Sequence, residues 1–209
     1  MKTLSKEEQQ KITPNQAIDL LRKGNQRFMQ NLRFNRNLLQ QMNDTADGQF
    51  PFASILSCID SRTTAELIFD QGLGDIFSIR IAANIVNEDI IGSLEFACKI
   101  AGSKLIVVLG HTNCGAIKGA CDEAELGHLT QLLHKITPAI EQEKTFTEER
   151  NGSNMCYVNE VAKINVHNSI NTILDKSSIL ADMVKAKTIK IIGGLYDITT
   201  GEVTFFDRR

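Results

Sequence analysis

Four short apolar runs, rich in β-branched residues, constrain this chain more than any other feature. They are Pro51 to Leu56, Ile76 to Arg80, Lys104 to Leu109 and Thr188 to Ile192. Each has the length and composition of a strand, and stretches of helical periodicity separate them. Asn87 to Cys98 or Ile100 places Ile90, Ile91, Leu94 and Ala97 on one helical face. Gly115 to Ala120 starts a further helix, Leu129 to Ile140 reads as another, and Val158 to Leu174 as a long one. Strands alternating with helices predict one α/β domain built on a mostly parallel central sheet. A fifth strand, Val203 to Phe206, follows the turn Thr199-Thr200-Gly201-Glu202 and is expected to lie antiparallel at the edge. The expected architecture is therefore four parallel strands plus an antiparallel edge strand, flanked by helices.

With 209 residues, 42% of them hydrophobic and 23% charged, the chain has ordinary globular composition and enough length for a sizeable core. No internal repeat or interdomain linker is visible, so residues 1–209 read as a single domain, with a helical arm at 1–48 and an α/β core at 49–209. Thr13-Pro14-Asn15-Gln16 opens a helix in the arm, with Thr as cap, Pro at the first position and Gln at the third. Gly24 interrupts the pattern that follows, and Phe34 to Gly48 matches no element. Thr63 to Gln71 reads as a short helix. Net charge is −2, from 23 Lys+Arg against 25 Asp+Glu, which gives no electrostatic reason to expect nucleic acid or an anionic membrane as partner. The ending Asp207-Arg208-Arg209 is too short to count as a basic tail. Met1 to Gln10 lacks the apolar core of a signal peptide, and no apolar run approaches a membrane span, so the expected compartment is the cytoplasm. Five cysteines, an odd number, make a poor disulfide framework and agree with a reducing compartment.

Two of the strands end in chemistry. The first runs into Ser57-Cys58-Ile59-Asp60-Ser61-Arg62, and the third into Gly110-His111-Thr112-Asn113-Cys114-Gly115. If Cys58 to Arg62 continues as an extended tail, Cys58, Asp60 and Arg62 point to one side. Thiolate and carboxylate are metal ligands, and an arginine can restrain the carboxylate. His111 and Cys114 have the His-x-x-Cys spacing of a local metal clip. Parallel strands would bring both half-sites to the carboxyl edge of the sheet, where open α/β sheets bind ligands. Two Cys and one His make three zinc ligands, and three protein ligands with an open fourth position is the catalytic pattern. Two thiolates and a neutral imidazole leave such a zinc formally uncharged, so its water should be less acidic than on a three-imidazole site and activity should need alkaline pH. Asp60 then has two available roles. It either occupies the fourth zinc position or pairs with Arg62 and accepts a hydrogen bond from hydroxide on the metal.

Cys58-x-Asp60-x-Arg62 together with His111-x-x-Cys114-Gly115 resembles the β-class carbonic anhydrases. Similar residues run from about Gln49 to Cys121, and Gly193-Gly194-Leu195-Tyr196-Asp197 with Gly201-x-Val203 also resembles the family. The resemblance implies one Zn2+ per chain on Cys58, His111 and Cys114, with Asp60 a further ligand in a closed state only, and Asp60 and Arg62 as the catalytic dyad. It implies reversible hydration of CO2 to bicarbonate and a proton by zinc-bound hydroxide. It also implies a homodimer or homotetramer, with the N-terminal helices packed over a partner. The implied substrate cleft has Gln49 contacting substrate from the neighbouring subunit, Phe77 as an apolar wall, Gly115 with its N–H near the substrate, and Phe96 where many members have tyrosine. Ile81 departs from the family's usual Arg-Asn-x-Gly/Ala-Asn segment, which bears on local hydrogen bonding and not on the metal. In some members a bicarbonate pocket closes the site; here Arg80 matches its arginine, but Ile55 and Phe96 replace its tryptophan and tyrosine. A carbonyl sulfide or carbon disulfide hydrolase on the same scaffold is the alternative activity, and a non-catalytic zinc-binding or redox-sensing domain the alternative class. Cys98, Cys121 and Cys156 read as ordinary thiols, and His128, His134 and His167 as surface or capping residues. Gly193-Gly194 reads as a strand-end turn.

Overall fold

The four apolar runs lie side by side in a computed structural model that describes residues 3–206. They form β1 (Ala53–Ser57), β2 (Ile76–Arg80), β3 (Leu105–His111) and β4 (Lys190–Tyr196), and the last strand is β5 (Val203–Phe206). The sheet order is β2-β1-β3-β4-β5. The first four strands are mutually parallel, and β5 runs antiparallel to β4. Every residue of β1 and β3 is buried, as expected for inner strands covered on both faces. Successive side chains serve opposite layers: Ile55 and Val107 pack with Ala17 and Leu21, while Leu56 and Val108 pack with Leu94 and Ile170. The two layers are carried by α2 (Pro14–Met29) on one face and by α5 (Glu88–Glu95) and α9 (Met155–Lys176) on the other. A single π-helical turn, Phe96–Ile100, extends α5.

The arm holds more structure than its sequence shows. A six-residue helix α1 (Lys6–Lys11), polar throughout, is too short to persist alone. Gln9 pins it, donating its buried amide to the carbonyls of Pro51 (2.7 Å) and Ala101 (2.8 Å). The expected cap of α2 is present: Gln16 N–H donates to the Thr13 hydroxyl (3.3 Å), and Thr13 N–H donates to the Gln16 side chain (2.8 Å). Gly24 sits where α2 meets the core so closely that an added Cβ would lie 1.7 Å from the Phe69 carbonyl oxygen. The unassigned segment contains α3 (Leu38–Asp44), tied to the core by its flank. Asp70, buried, receives Arg27 (2.5 Å), Arg36 and the Phe34 N–H (3.3 Å). Burial pushes its carboxyl up, but the two guanidiniums and the Phe34 N–H more than offset this and hold it below its ordinary value. Leu38, Leu39 and Met42 of α3 remain exposed.

Several sequence expectations need correction. Thr63 to Gln71 contributes only α4 (Ala65–Ile68), with turns around it. The single helix expected over Leu129 to Ile140 is two, α7 (Gly127–Leu133) and α8 (Thr137–Gln142). Pro138 sits in the first turn of α8 and has no N–H to offer the turn before it, so one helix cannot run through. Gly193-Gly194 is not a turn but lies inside β4. A Cβ at Gly193 would stand 2.3 Å from the Phe206 ring and 2.9 Å from Val166, so the glycine lets β5 and α9 close onto β4. The polar-faced α10 (Ser178–Lys185), capped by Ser177, was not legible as a separate element. Asp207-Arg208-Arg209 lie outside the described residues. No described helix is long and apolar enough to cross a membrane.

Candidate metal centre

Parallel pairing of β1 with β3 puts Ser57 opposite Leu109, so both chain ends leave the sheet at one edge. Cys58 follows β1 directly, His111 is the last residue of β3, and Cys114 is the N-cap residue of α6 (Gly115–Cys121). All three are buried, and their ligand atoms lie within 4.8 Å of one another. The two sulfurs are 4.0 Å apart. Thiolates at about 2.3 Å from a tetrahedral zinc would stand about 3.8 Å apart, so the pair is already at ligand spacing.

The histidine is presented in the matching tautomer. Its Nδ1 lies 2.9 Å from the Thr112 carbonyl, so this nitrogen carries the proton and Nε2 keeps its lone pair. Nε2 is buried and has no hydrogen-bond partner among the described residues. A buried polar atom left unpaired costs about 1–3 kcal/mol, which a metal ligand bond would remove. The loop that carries it is pinned from three sides. Thr112 N–H donates to the Tyr196 carbonyl (2.9 Å), Ile198 N–H to the Thr112 hydroxyl (3.1 Å), and Asn113 N–H to Asn159 of α9 (2.9 Å).

The thiols make the same case electrostatically. The Cys58 thiol is lowered to about 4, chiefly by the hydrogen bond from Cys114 and despite burial, with help from His111 and the N–H groups of Asp60 and Ala83. Cys114 is pushed up in return, by Cys58 and by burial. Two thiolates this close need a cation between them before both can ionise. The donor set, its spacing and the unpartnered imidazole nitrogen all fit zinc.

Cys58 to Arg62 does not continue as an extended tail: the strand ends at Ser57, and Thr63 N–H turns back onto the Asp60 carbonyl (2.9 Å). Asp60 and Arg62 therefore meet across a turn. Asp60 Oδ1 accepts from the backbone N–H and from Nε of Arg62 (both 2.9 Å), and Oδ2 accepts from Nη2 (2.7 Å). The Arg62 guanidinium holds the Asp60 carboxyl well below the usual carboxylate range. Oδ2 lies 4.0 Å from His111 Nε2, beside the donor set. Arg80 and Thr63 fix the turn by donating to the carbonyls of Cys58 (3.1 and 3.0 Å) and Asp60 (2.6 and 2.9 Å).

A cavity of about 310 Å³ opens beside Cys58 and Asp60, walled by Ile59, Gly115, Gly119, Leu129 and Leu133. Of the residues expected at the site, the fold brings together Cys58, Asp60, Arg62, His111, Cys114 and Gly115. It does not bring Gln49, Phe77 or Phe96 to that cavity within one chain. Gln49 is exposed at the end of the arm. Phe77 and Phe96 pack edge to face, with centroids 6.4 Å apart, and line a separate hollow with Glu88 and Asp89. Residues that the sequence reading missed are Thr63, Ala83, Asn159, Asn165 and Ser169. Asn165 and Ser169 carried a usable signal, since they fall one helical turn apart among the apolar residues of a long helix.

A mostly parallel sheet with Cys, His and Cys donors at its carboxyl edge, and a carboxylate paired with arginine beside them, has the donor set of a metal-binding site. The carbonic anhydrase family model matches residues 53–203. The carbonic anhydrase of Mycolicibacterium smegmatis is 32% identical over 197 residues, covering 91% of this chain and 92% of that one. Among solved structures, the β-carbonic anhydrase CafA of Aspergillus fumigatus superposes with a TM-score of 0.72 at 25% identity, covering 81% of both chains. A tetrameric β-carbonic anhydrase of Sordaria macrospora does so with a TM-score of 0.67 at 27% identity, covering 77% of this chain and 83% of the other. The chain belongs to the β-carbonic anhydrase family.

Proposed function

We propose that this protein is a zinc-dependent carbonic anhydrase that interconverts CO2 with bicarbonate and a proton. The observation that carries the reading is the buried Cys58–His111–Cys114 set with its unpartnered Nε2. Bound by those three residues, zinc would lower the pKa of a coordinated water and so supply a nucleophile for CO2. Thr112 fixes the tautomer that leaves the Nε2 lone pair free, so that Nε2 could ligate a bound zinc. Asp60, kept ionised and turned by Arg62, can only accept a hydrogen bond, and it orients the attacking water from beside the donor set. The apolar walls of Ile59, Leu129 and Leu133 suit an uncharged substrate. Stopped-flow hydration of CO2 by zinc-loaded protein, run beside carbonyl sulfide turnover, tests the assignment. CO2 hydration is the expected result, and its absence, or a preference for carbonyl sulfide, overturns it. Such an enzyme is expected in the cytoplasm.

The cavity supports a sharper expectation. Gly119 lies within α6, where glycine costs about 1 kcal/mol relative to alanine. An added Cβ would make only ordinary contacts, 3.5 Å from Leu133 and 3.9 Å from Ala124. Gly119→Ala should therefore raise the melting temperature, whereas Gly119→Leu, which adds bulk to the wall of the cavity that Asp60 also lines, should lower kcat/KM for CO2 by about tenfold or more. Unchanged kcat/KM in a folded, zinc-replete Gly119→Leu variant would show that the cavity is not on the substrate's path.

The cleft also calls for a second copy of the chain. Gln49 on the arm and the Phe77–Phe96 pair lie away from the cavity of their own chain, and a neighbour placing them over it would complete the substrate wall. The exposed Leu38, Leu39 and Met42 of α3, with Phe96 and Ile100, offer the apolar surface for such contact. A homodimer or homotetramer is expected. Sedimentation at assay concentration that finds an active monomer would refute this.

A further inference from the structure

The turn beside the metal centre is held in an unfavourable conformation. Ala83 and Asn84, between β2 and α5, both have left-handed backbones, at φ 54° and 45°. Alanine gains nothing from this region, and such a residue persists there only where its surroundings enforce it. Both residues are buried. The Asn84 side chain does not supply the enforcement, because its amide nitrogen has no partner among the described residues. Helix α9 does. Asn165 donates its side-chain amide to the Ala83 carbonyl (2.8 Å), and Ser169, one turn on, donates its hydroxyl to the Asn84 carbonyl (3.1 Å). The outcome of the strained geometry is that the Ala83 N–H points at the Cys58 sulfur, 3.4 Å away.

We propose that Asn165 is a positioning residue of the metal centre: it clamps the left-handed Ala83–Asn84 turn so that the Ala83 N–H donates to the Cys58 sulfur and tunes it as a ligand. This rests on the reading of Cys58, His111 and Cys114 as a zinc site. Outer partners of this kind orient ligands and adjust their donor strength. A thiolate that loses an N–H donor holds its electrons less tightly, so its charge-transfer band to a bound metal moves to lower energy.

Cobalt-substituted protein provides the readout, with release of zinc to a chelator as a second. Asn165→Ala is expected to shift the thiolate-to-cobalt band to lower energy and to speed zinc release by about 10–100-fold. Ser169→Ala, which loosens only the Asn84 carbonyl, should shift the band less in the same direction. Glycine adopts the left-handed region freely. Adding Ala83→Gly to Asn165→Ala should therefore return both readouts toward wild type, and this pair keeps the test available if Asn165→Ala alone folds poorly. A merely structural asparagine would not produce that rescue. A band and release rate unmoved in Asn165→Ala, or moved but not restored by Ala83→Gly, would overturn the proposal alone. Wild-type protein that shows no thiolate-to-cobalt band would overturn the zinc reading, and this proposal with it.

Discussion

Replacing His111 by alanine, or Cys114 by serine, is expected to abolish zinc binding and CO2 hydration together. His111 supplies the imidazole of the donor set, and its buried Nε2 has no hydrogen-bond partner among the described residues. Cys114 stands 4.0 Å from Cys58, and its loss leaves only two of the three clustered ligands. Losing an outer partner of a metal ligand costs about 10–100-fold in affinity or activity, so losing a ligand itself should exceed that. Metal analysis should fall from about one zinc per chain to near zero, and stopped-flow hydration should fall with it. Stability should follow, because a metal that binds only the folded chain stabilises it in proportion to RT ln(1 + [L]/Kd). Chelation of the wild type should lower its melting temperature, while the ligand variants should show little further response to chelator. Zinc content and activity both unchanged in either variant would remove the assignment.

The elements that carry the site were legible because their signals are local. Continuous apolar runs of strand length marked β1 to β4, and the ligands follow two of those runs in sequence, so parallel pairing alone brings Cys58 to His111. What the sequence concealed depends on distant contacts. Helix α1 has no apolar face and exists through the reach of Gln9 to Pro51 and Ala101. Gly193 and Gly194 look like a turn in isolation, and only the ring of Phe206 and the side chain of Val166 show why a strand should hold them. Asp60 and Arg62 meet across a turn and not along the extended tail that their alternation suggested. An alternating tail and a tight turn both bring the two side chains together, and the backbone hydrogen bonds of Thr63 and Arg62 select the turn. The Ala83–Asn84 clamp was out of reach because Asn165 lies 82 residues from the carbonyl it holds. Gln49, Phe77 and Phe96 belong to the same group, since within one chain they do not line the cavity beside Cys58.

Arg62→Ala is expected to damage catalysis without removing zinc. Asp60 would lose the Nε and Nη2 donors and keep only the backbone N–H of residue 62. Its Oδ2 is 4.0 Å from His111 Nε2, so a released carboxylate would be close enough to compete with water for a zinc held by Cys58, His111 and Cys114. Activity should fall by about 10–100-fold while zinc content holds. Arg62→Lys, which keeps the charge but not the two-pronged geometry, should restore only part of it. The pH dependence follows from the direction of the shift. Arg62 depresses the Asp60 carboxyl, so the pair's stabilisation is fully present above the ordinary carboxylate value of about 3.9 and is lost only as pH falls through the lower folded value. Loss of activity between pH 8 and pH 6 therefore cannot come from protonating Asp60. Among the described residues, the three positions expected to form a bicarbonate pocket are poorly suited to pull Asp60 away from Arg62. Arg80 is engaged with the carbonyls of Cys58 and Asp60, Ile55 is buried in the core, and Phe96 has no hydroxyl to offer. The wild-type profile should fall with the slope of a single proton, and Asp60 should remain on Arg62 at neutral pH. A crystal structure near pH 7 with Asp60 bound directly to zinc, or a profile clearly steeper than one proton, would overturn this account of the dyad.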